Sequence, residues 1–232
     1  MDNYGLQDVL NRISAVINKP ELSAFRELAV GLLGIYNPIV GVSAGAINRV
    51  ISDFNTYKIT LLLEGLSTNT SMERRMNELF NYVNKSDENA INVANIFKKV
   101  INAESPKACL IYGLIIADHL NGSNSFRQEE LIVCKALENG TDHDLSIFKD
   151  IMEQYVVKVE NNRESVELPL NLANKDEYIV TCDWCLYNRV FVMESIKFEN
   201  TTLVNGRFYY TSAPANILIK YINDLHRIWN YQ

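Results

Sequence analysis

Ser105–Gly122 reads SPKACLIYGLIIADHLNG, and the reading of this stretch decides the fold. Ser105 is a good helix N-cap, and Pro106 suits the first helical position, where its missing N–H breaks no bond. From Ala108 to Ala117 no residue is charged, so the helix is apolar round most of its circumference. Such a helix belongs inside a protein or inside a bilayer. The run is too short for a bilayer, which takes about 20 apolar residues. It is expected as a core helix on which the others pack. Asp118 and His119 are expected to return the chain to water, and Asn121-Gly122 to end the helix. Gly113 sacrifices helix propensity and is expected to let a neighbouring helix approach closely.

Around this core the 232-residue chain has room for one large domain or two small ones. A net charge of -6 argues against a dedicated nucleic-acid binder. Cys109, Cys134, Cys182 and Cys185 all fall in apolar or helical surroundings, which suits a reducing compartment better than a disulfide framework. The start, MDNYGLQDVL, lacks the basic residues and apolar run of a secretory signal. The expected location is cytoplasmic, with a peripheral membrane association as the variant.

Upstream of the core helix, Leu6, Val9, Leu10, Ile13, Val16 and Ile17 predict an amphipathic helix ended by Lys19-Pro20. A second helix begins near Glu21. Between Glu27 and Arg49 there is no charge, and Leu28–Asn48 is long enough to span a bilayer. Tyr36-Asn37-Pro38 sits at its midpoint, where an X-Pro step breaks a helix. Two helices meeting at a Pro turn and packing closely through small residues are the favoured reading. Membrane insertion of residues 28–48, which hold Gly41 and Gly45 at the spacing that lets membrane helices pack closely, is the alternative. The period continues through Val50, Phe54, Tyr57, Leu61 and Leu62 to a stop at Gly65, followed by the polar link Ser67–Ser71. Met72, Met76, Leu79, Phe80 and Val83 mark the next helix, with Glu73-Arg74-Arg75 as a solvated face. Ser86 caps another, carrying Ile91, Ala94, Phe97, Val100 and Ile101 inward.

Downstream, Ser125 with Gln128 predicts a capping box and a helix through Leu131, Cys134 and Leu137, closed by Asn139-Gly140. Thr141 or Asp142 caps a helix with Leu145, Phe148, Ile151, Met152 and Tyr155 inward. Glu160–Lys175 reads as a loop, and Asp176 as the cap of a helix running to Tyr187. Within SIKFENTTLVNGRFYYT, Asn205-Gly206 reads as the two-residue turn of a β-hairpin. Ser212 and Pro214 open a last helix with Ile217, Leu218, Tyr221, Ile222, Leu225 and Trp229 on one face.

From Ser125 onwards the order of two helices, a third helix, a hairpin and a final helix resembles a winged-helix module. DWCLYNRVFV, NGRFYYT and ANILIKYI are similar to its third helix, wing and trailing helix. The resemblance implies a nucleic-acid or protein-interaction module. The third helix offers Asp176, Glu177 and Asp183 against Arg189, and the wing only Lys197 and Arg207, which points away from phosphate binding. The whole layout is similar to small proteins of bacteria and their mobile elements. The expected fold is mainly α, a multi-helix bundle followed by a winged-helix-like α/β tail with one β-hairpin. Its expected parts are an apolar N-terminal arm (1–66), a helical core (71–159) and a tail (176–232) that borrows helices from 125–157.

Chemistry is sparse. Cys182-Asp183-Trp184-Cys185 is a CxxC, but no second CxxC or close His pair completes four zinc ligands. A redox thiol would need to sit at a helix start. Cys182 and Cys185 are therefore read as structural thiols, with metal binding as the lesser candidate. Asp142-His143-Asp144 reads as a helix cap, and Asp118-His119 as a helix end favoured by the macrodipole. No catalytic motif and no cofactor site is found in the sequence. The leading expectation is a non-catalytic protein-interaction or regulatory protein acting through Lys197, Arg207, Phe208, Tyr209 and Tyr210, or through the N-terminal arm. Homo-oligomerisation is compatible with it, and a DNA-binding regulator is a further alternative.

Overall fold

The computed structural model describes residues 5–17, 46–122, 126–158, 163–199 and 202–229. Over these residues the protein is mainly helical, with one small four-stranded antiparallel sheet. It divides into two compact units, Met1–Phe126 and Arg127–Gln232. The Pro38 turn, the Gly41/Gly45 pair, the helix expected near Glu21 and residues 28–45 of the uncharged run lie outside the described residues. Ser67–Ser71 joins two helices of the same unit.

The first unit holds α1 (Leu6–Ile17), α2 (Ala46–Ser67), α3 (Met72–Lys85), α4 (Asp87–Asn102) and α5 (Pro106–Gly122). Short polar residues start the later helices. The hydroxyls of Ser71, Ser86 and Ser105 accept from the backbone N–H of Arg74, Asn89 and Ala108, at 3.3, 3.1 and 3.0 Å, each satisfying a donor that a helix start leaves free. Ala108–Ala117 is buried throughout, so α5 is the core helix its composition demands. Around it pack α2, α3 and α4, and α1 lies against α3 and α4.

The closest of these crossings is glycine against glycine. A Cβ on Gly65 would run into the Leu110 carbonyl oxygen, and one on Gly113 into the Leu62 carbonyl oxygen, with the Leu66 nitrogen 2.5 Å away. Backbone therefore meets backbone where α2 crosses α5. Gly65 is not the helix stop that its residue type suggests. The helix continues to Ser67, where the Ser67 and Thr68 hydroxyls donate back to the carbonyls of Leu63 and Gly65, both at 2.9 Å. Leu62 and Leu66 are fully buried beside the crossing and Leu61 is buried too, whereas Phe54 and Tyr57 are exposed, so the expected inward face of α2 holds at Leu61 and Leu62 and fails at Phe54 and Tyr57.

Among the described residues of this unit two basic side chains are buried, Arg75 and Lys58. Arg75, read as part of a solvated run, is 5% exposed and donates to Glu78 at 2.7 Å. Lys58 is 7% exposed, donates to the Ile101 carbonyl at 2.6 Å in the last turn of α4, and lies 4.5 Å from the Phe54 ring centroid. A cation there answers the negative end of the helix dipole, and burial lowers the Lys58 pKa. In α4 the buried face is Ala90, Val93, Ala94, Ile96, Phe97 and Val100, and Ile91 and Ile101 lie at its margins.

The second unit runs α6 (Gln128–Asn139), α7 (Asp142–Gln154), β1 (Val156–Lys158), β2 (Glu164–Val166), α8 (Lys175–Tyr187), β3 (Phe191–Glu199), β4 (Thr202–Thr211) and α9 (Ala213–Trp229). Ser125 lies outside the described residues. The N-cap of α6 is Arg127, whose N–H donates to Glu130 at 2.9 Å. Thr141 and Asp144 form a reciprocal capping box for α7. The expected loop at Glu160–Lys175 contains β2, which pairs with β1, and the sheet order is β1-β2-β4-β3. This extra hairpin between the second and third helices is absent from the winged-helix expectation. In α6 the buried residues are Glu130, Val133, Cys134, Ala136 and Leu137, and Leu131 is exposed. With Phe148, Phe191, Cys185 and the α9 residues Leu218, Tyr221, Ile222 and Leu225 they are among the buried residues of this unit.

α8 starts from Asn174, not Asp176, and ends in a motif that glycine usually serves. Arg189 has φ 62°, its N–H donates to the Leu186 carbonyl at 3.0 Å, and the Val190 N–H donates to Cys185 at 2.7 Å. These two bonds close the helix with a left-handed residue after the cap. The Ser212 hydroxyl then donates to the Val190 carbonyl at 2.6 Å, fixing the start of β3 against the start of α9.

Candidate interaction surface

The β3–β4 ribbon carries four of the five sequence-nominated residues on β4. Glu199 pairs with Thr202, so the reversal falls between those two and not at Asn205-Gly206. Asn205 instead faces Ile196, and Phe208 faces Glu194. Two residues, Gly206 and Arg207, thus oppose Ser195 alone, which is a bulge. Glycine inside a strand marks bulges as well as turns, and the Phe208 ring lies over Gly206, 3.1 Å from where a Cβ would sit.

One face of the ribbon is fastened to α8. The Tyr209 hydroxyl donates to Asp183 Oδ1 at 2.6 Å, and Arg207 reaches Asp183 Oδ2 at 3.3 Å. Burial and the Asp183 bond push the Tyr209 phenol up to about 12. Thr211 donates to Glu164 at 2.9 Å on β2. On the other face the Arg163 guanidinium lies 3.9 Å from the Tyr210 ring centroid and pairs with Glu194 at 2.7 Å. Tyr209 and Tyr210 are consequently 6% and 4% exposed.

The nominated residues therefore separate. Arg207 is exposed, Phe208 half-buried, Tyr209 and Tyr210 buried, and the Lys197 side chain lies outside the described residues. What the ribbon does present is Val192 and Met193, 45% and 41% exposed on opposite faces of β3, which is an edge strand of the described sheet. Sequence reading missed both, along with Asp183, Arg163 and Glu194. The partners of these three lie on other elements.

Cys182 and Cys185 sit in the eighth and eleventh positions of α8 and are fully buried. Burial, then the Asp183 charge, pushes the Cys182 thiol up to about 12, and Cys185 goes well above its ordinary value. Protonated thiols are poor nucleophiles and poor metal ligands. Among the described residues no group of three or more His, Cys, Asp or Glu is placed to hold a metal. His119 does not return the chain to water. It is 3% exposed, its ring 3.8 Å from that of Phe126. His143 reaches Glu177 at 3.2 Å, and Asp144 serves the Thr141 cap.

No family model, no curated protein and no solved structure matches the chain. Among the described residues no helix is long and apolar enough to cross a membrane.

Proposed function

We propose that the chain is a non-catalytic protein-interaction or regulatory protein, of bacterial or mobile-element type, acting in the cytoplasm. The observation that carries this reading is the edge strand β3, which leaves Val192 and Met193 in water while the aromatic residues beside them are locked by Asp183 and Arg163. An exposed edge is a template for an added strand, with main-chain bonds for affinity and side-chain contacts for choice. The buried, protonated thiols of Cys182 and Cys185 favour a structural role for the CxxC. Val192→Glu with Met193→Lys should abolish capture of partners by the full chain without altering its circular dichroism. Undiminished capture would move the surface elsewhere.

Of the alternatives, a winged-helix DNA-binding regulator is the weaker. Phosphate binding draws on unpaired cations, and Arg207 and Arg163 both face carboxylates. Retention on duplex DNA that falls with salt would revive it. Insertion of residues 28–48 into a membrane rests on the uncharged run and the Gly41/Gly45 spacing, and flotation with liposomes tests it.

A further inference from the structure

Past Tyr209 and Tyr210 the sheet narrows to two strands. Among the described residues β2 meets β4 only at those two tyrosines, whereas β3 and β4 stay paired as far as Glu199 and Thr202. A ribbon of two strands is marginal in water by itself and needs a packed neighbour on its apolar face. The register shows which face that is. Residues two apart on a strand share a side, so Val192, Glu194, Ile196 and Phe198 fall on one face of β3, that of Tyr210 and Arg163. Pairing adds Asn205 opposite Ile196 and Leu203 opposite Phe198. The reverse face takes Ser195, Lys197 and Glu199 of β3, with Thr202 and Val204 of β4. At the base of the ribbon the order is the other way round. There Phe191, on the reverse face, is buried against Phe148 of α7, and Tyr209 on the same face is bonded to Asp183 of α8. The apolar side therefore changes over along the ribbon, from facing α7 and α8 at its base to facing away from them at its tip.

We infer that the tip face, Ile196, Phe198 and Leu203 with exposed Val192 at its base, packs against the same face of a second copy of the chain. Charge decides the occupant. Glu194 on this face is paired with Arg163 at 2.7 Å, so two copies meet without like-charge repulsion. Nucleic acid and anionic lipid call for cations. Of the two on the ribbon, Lys197 falls on the reverse face and Arg207 is held by Asp183. Four large apolar residues per copy, at up to about 150 Å² each, bury on the order of 1,000 Å² across a two-fold pair, which reaches the size of a specific interface. Like faces related by a two-fold also close on themselves and leave no open chain of contacts. The inference concerns the face of the ribbon, goes beyond the reading of its open edge, and does not depend on it.

The test is analytical ultracentrifugation of the full chain over a hundred-fold range of concentration, with thiol cross-linking as a second readout. The parent should sediment as a dimer. Phe198→Ser with Leu203→Ser should raise the dimer dissociation constant ten-fold or more. Lys197→Ser with Glu199→Ser, on the reverse face of the same ribbon and without change of net charge, should leave it within two-fold. All four native thiols are buried, so a cysteine placed on the ribbon reports alone. Phe198→Cys should cross-link to a second copy through a short bis-maleimide at least ten-fold faster than Lys197→Cys, a comparison that stands even if the double serine variant fails to fold. A dimer unmoved by the Phe198/Leu203 pair, an equal loss in the Lys197/Glu199 pair, or equal cross-linking from both cysteines overturns the inference. A parent that is monomeric at every concentration while its Val192/Met193 edge still captures partners also overturns it, and leaves the broader interaction reading standing.

Discussion

Two of the described helices are apolar on every side, and only one of them is buried on every side. Around α5 three helices close in, tightly enough that Gly65 and Gly113 bring two backbones together. Around α8 the covering stops half-way, leaving Val180 and Tyr187 in water. The contrast teaches that uniform apolarity specifies burial without specifying who supplies it. In α5 the neighbours belong to the same unit, and in α8 Val180 and Tyr187 are left uncovered.

The largest expected effect breaks the α5 side of this contrast. Gly113→Val drives two methyl groups into the backbone of α2 and should destabilise the first unit by about 3 kcal/mol or more, read from urea unfolding. A loss under about 1 kcal/mol would mean the crossing is looser than described. Next comes the buried side of α8. Cys182 and Tyr209 have ordinary values of 9.0 and 10.0 and are held protonated to about 12 in the fold. Their stabilisation is complete below pH 9 and is lost as pH rises through about 12, because above pH 9 the folded state binds more protons than the unfolded one. Cys182 alone should cost about 2 kcal/mol by pH 11, and a urea midpoint that stays flat from pH 8 to 11 would contradict this. Tyr209→Phe, which removes the bond to Asp183, should cost about 1–2 kcal/mol. Arg189→Gly relieves a left-handed backbone and should stabilise by about 1 kcal/mol. Smallest of all, Val180→Ser with Tyr187→Ser should leave thermal stability within about 0.5 kcal/mol.

Local signals were the legible ones. Ser86, Ser105 and Thr141 cap where their residue type and spacing place them, and Gly113 sits at a close crossing because little else explains a glycine inside a buried helix. Signals with two meanings misled. Asn205-Gly206 suits a turn and a bulge equally, and only the pairing of Glu199 with Thr202 decides between them. Strands β1 and β2 have three residues each, too short to show alternation, and their pairing is tertiary information. Arg75 is buried because Glu78 lies one turn ahead and the rest of the unit covers it, which a run of three charges conceals. Of the side chains the sequence nominated for a surface, Tyr209 and Tyr210 are buried in the fold. Tyr209 and Tyr210 look like contact residues until Asp183 and Arg163, distant in sequence, arrive to bury them. The outward face of α8 was illegible for a related reason, since a helix apolar all round carries no mark of which side faces in.

The most direct test of the contrast is one polar substitution on each helix, Ile115→Asp in α5 and Val180→Asp in α8, compared by thermal unfolding of the full chain. An unpaired carboxylate in a closed core costs several kcal/mol, so Ile115→Asp should abolish cooperative folding, whereas Val180→Asp should melt within about 2 °C of the parent. Comparable losses in the two variants would show that α8 is covered within the chain, and would contradict the account.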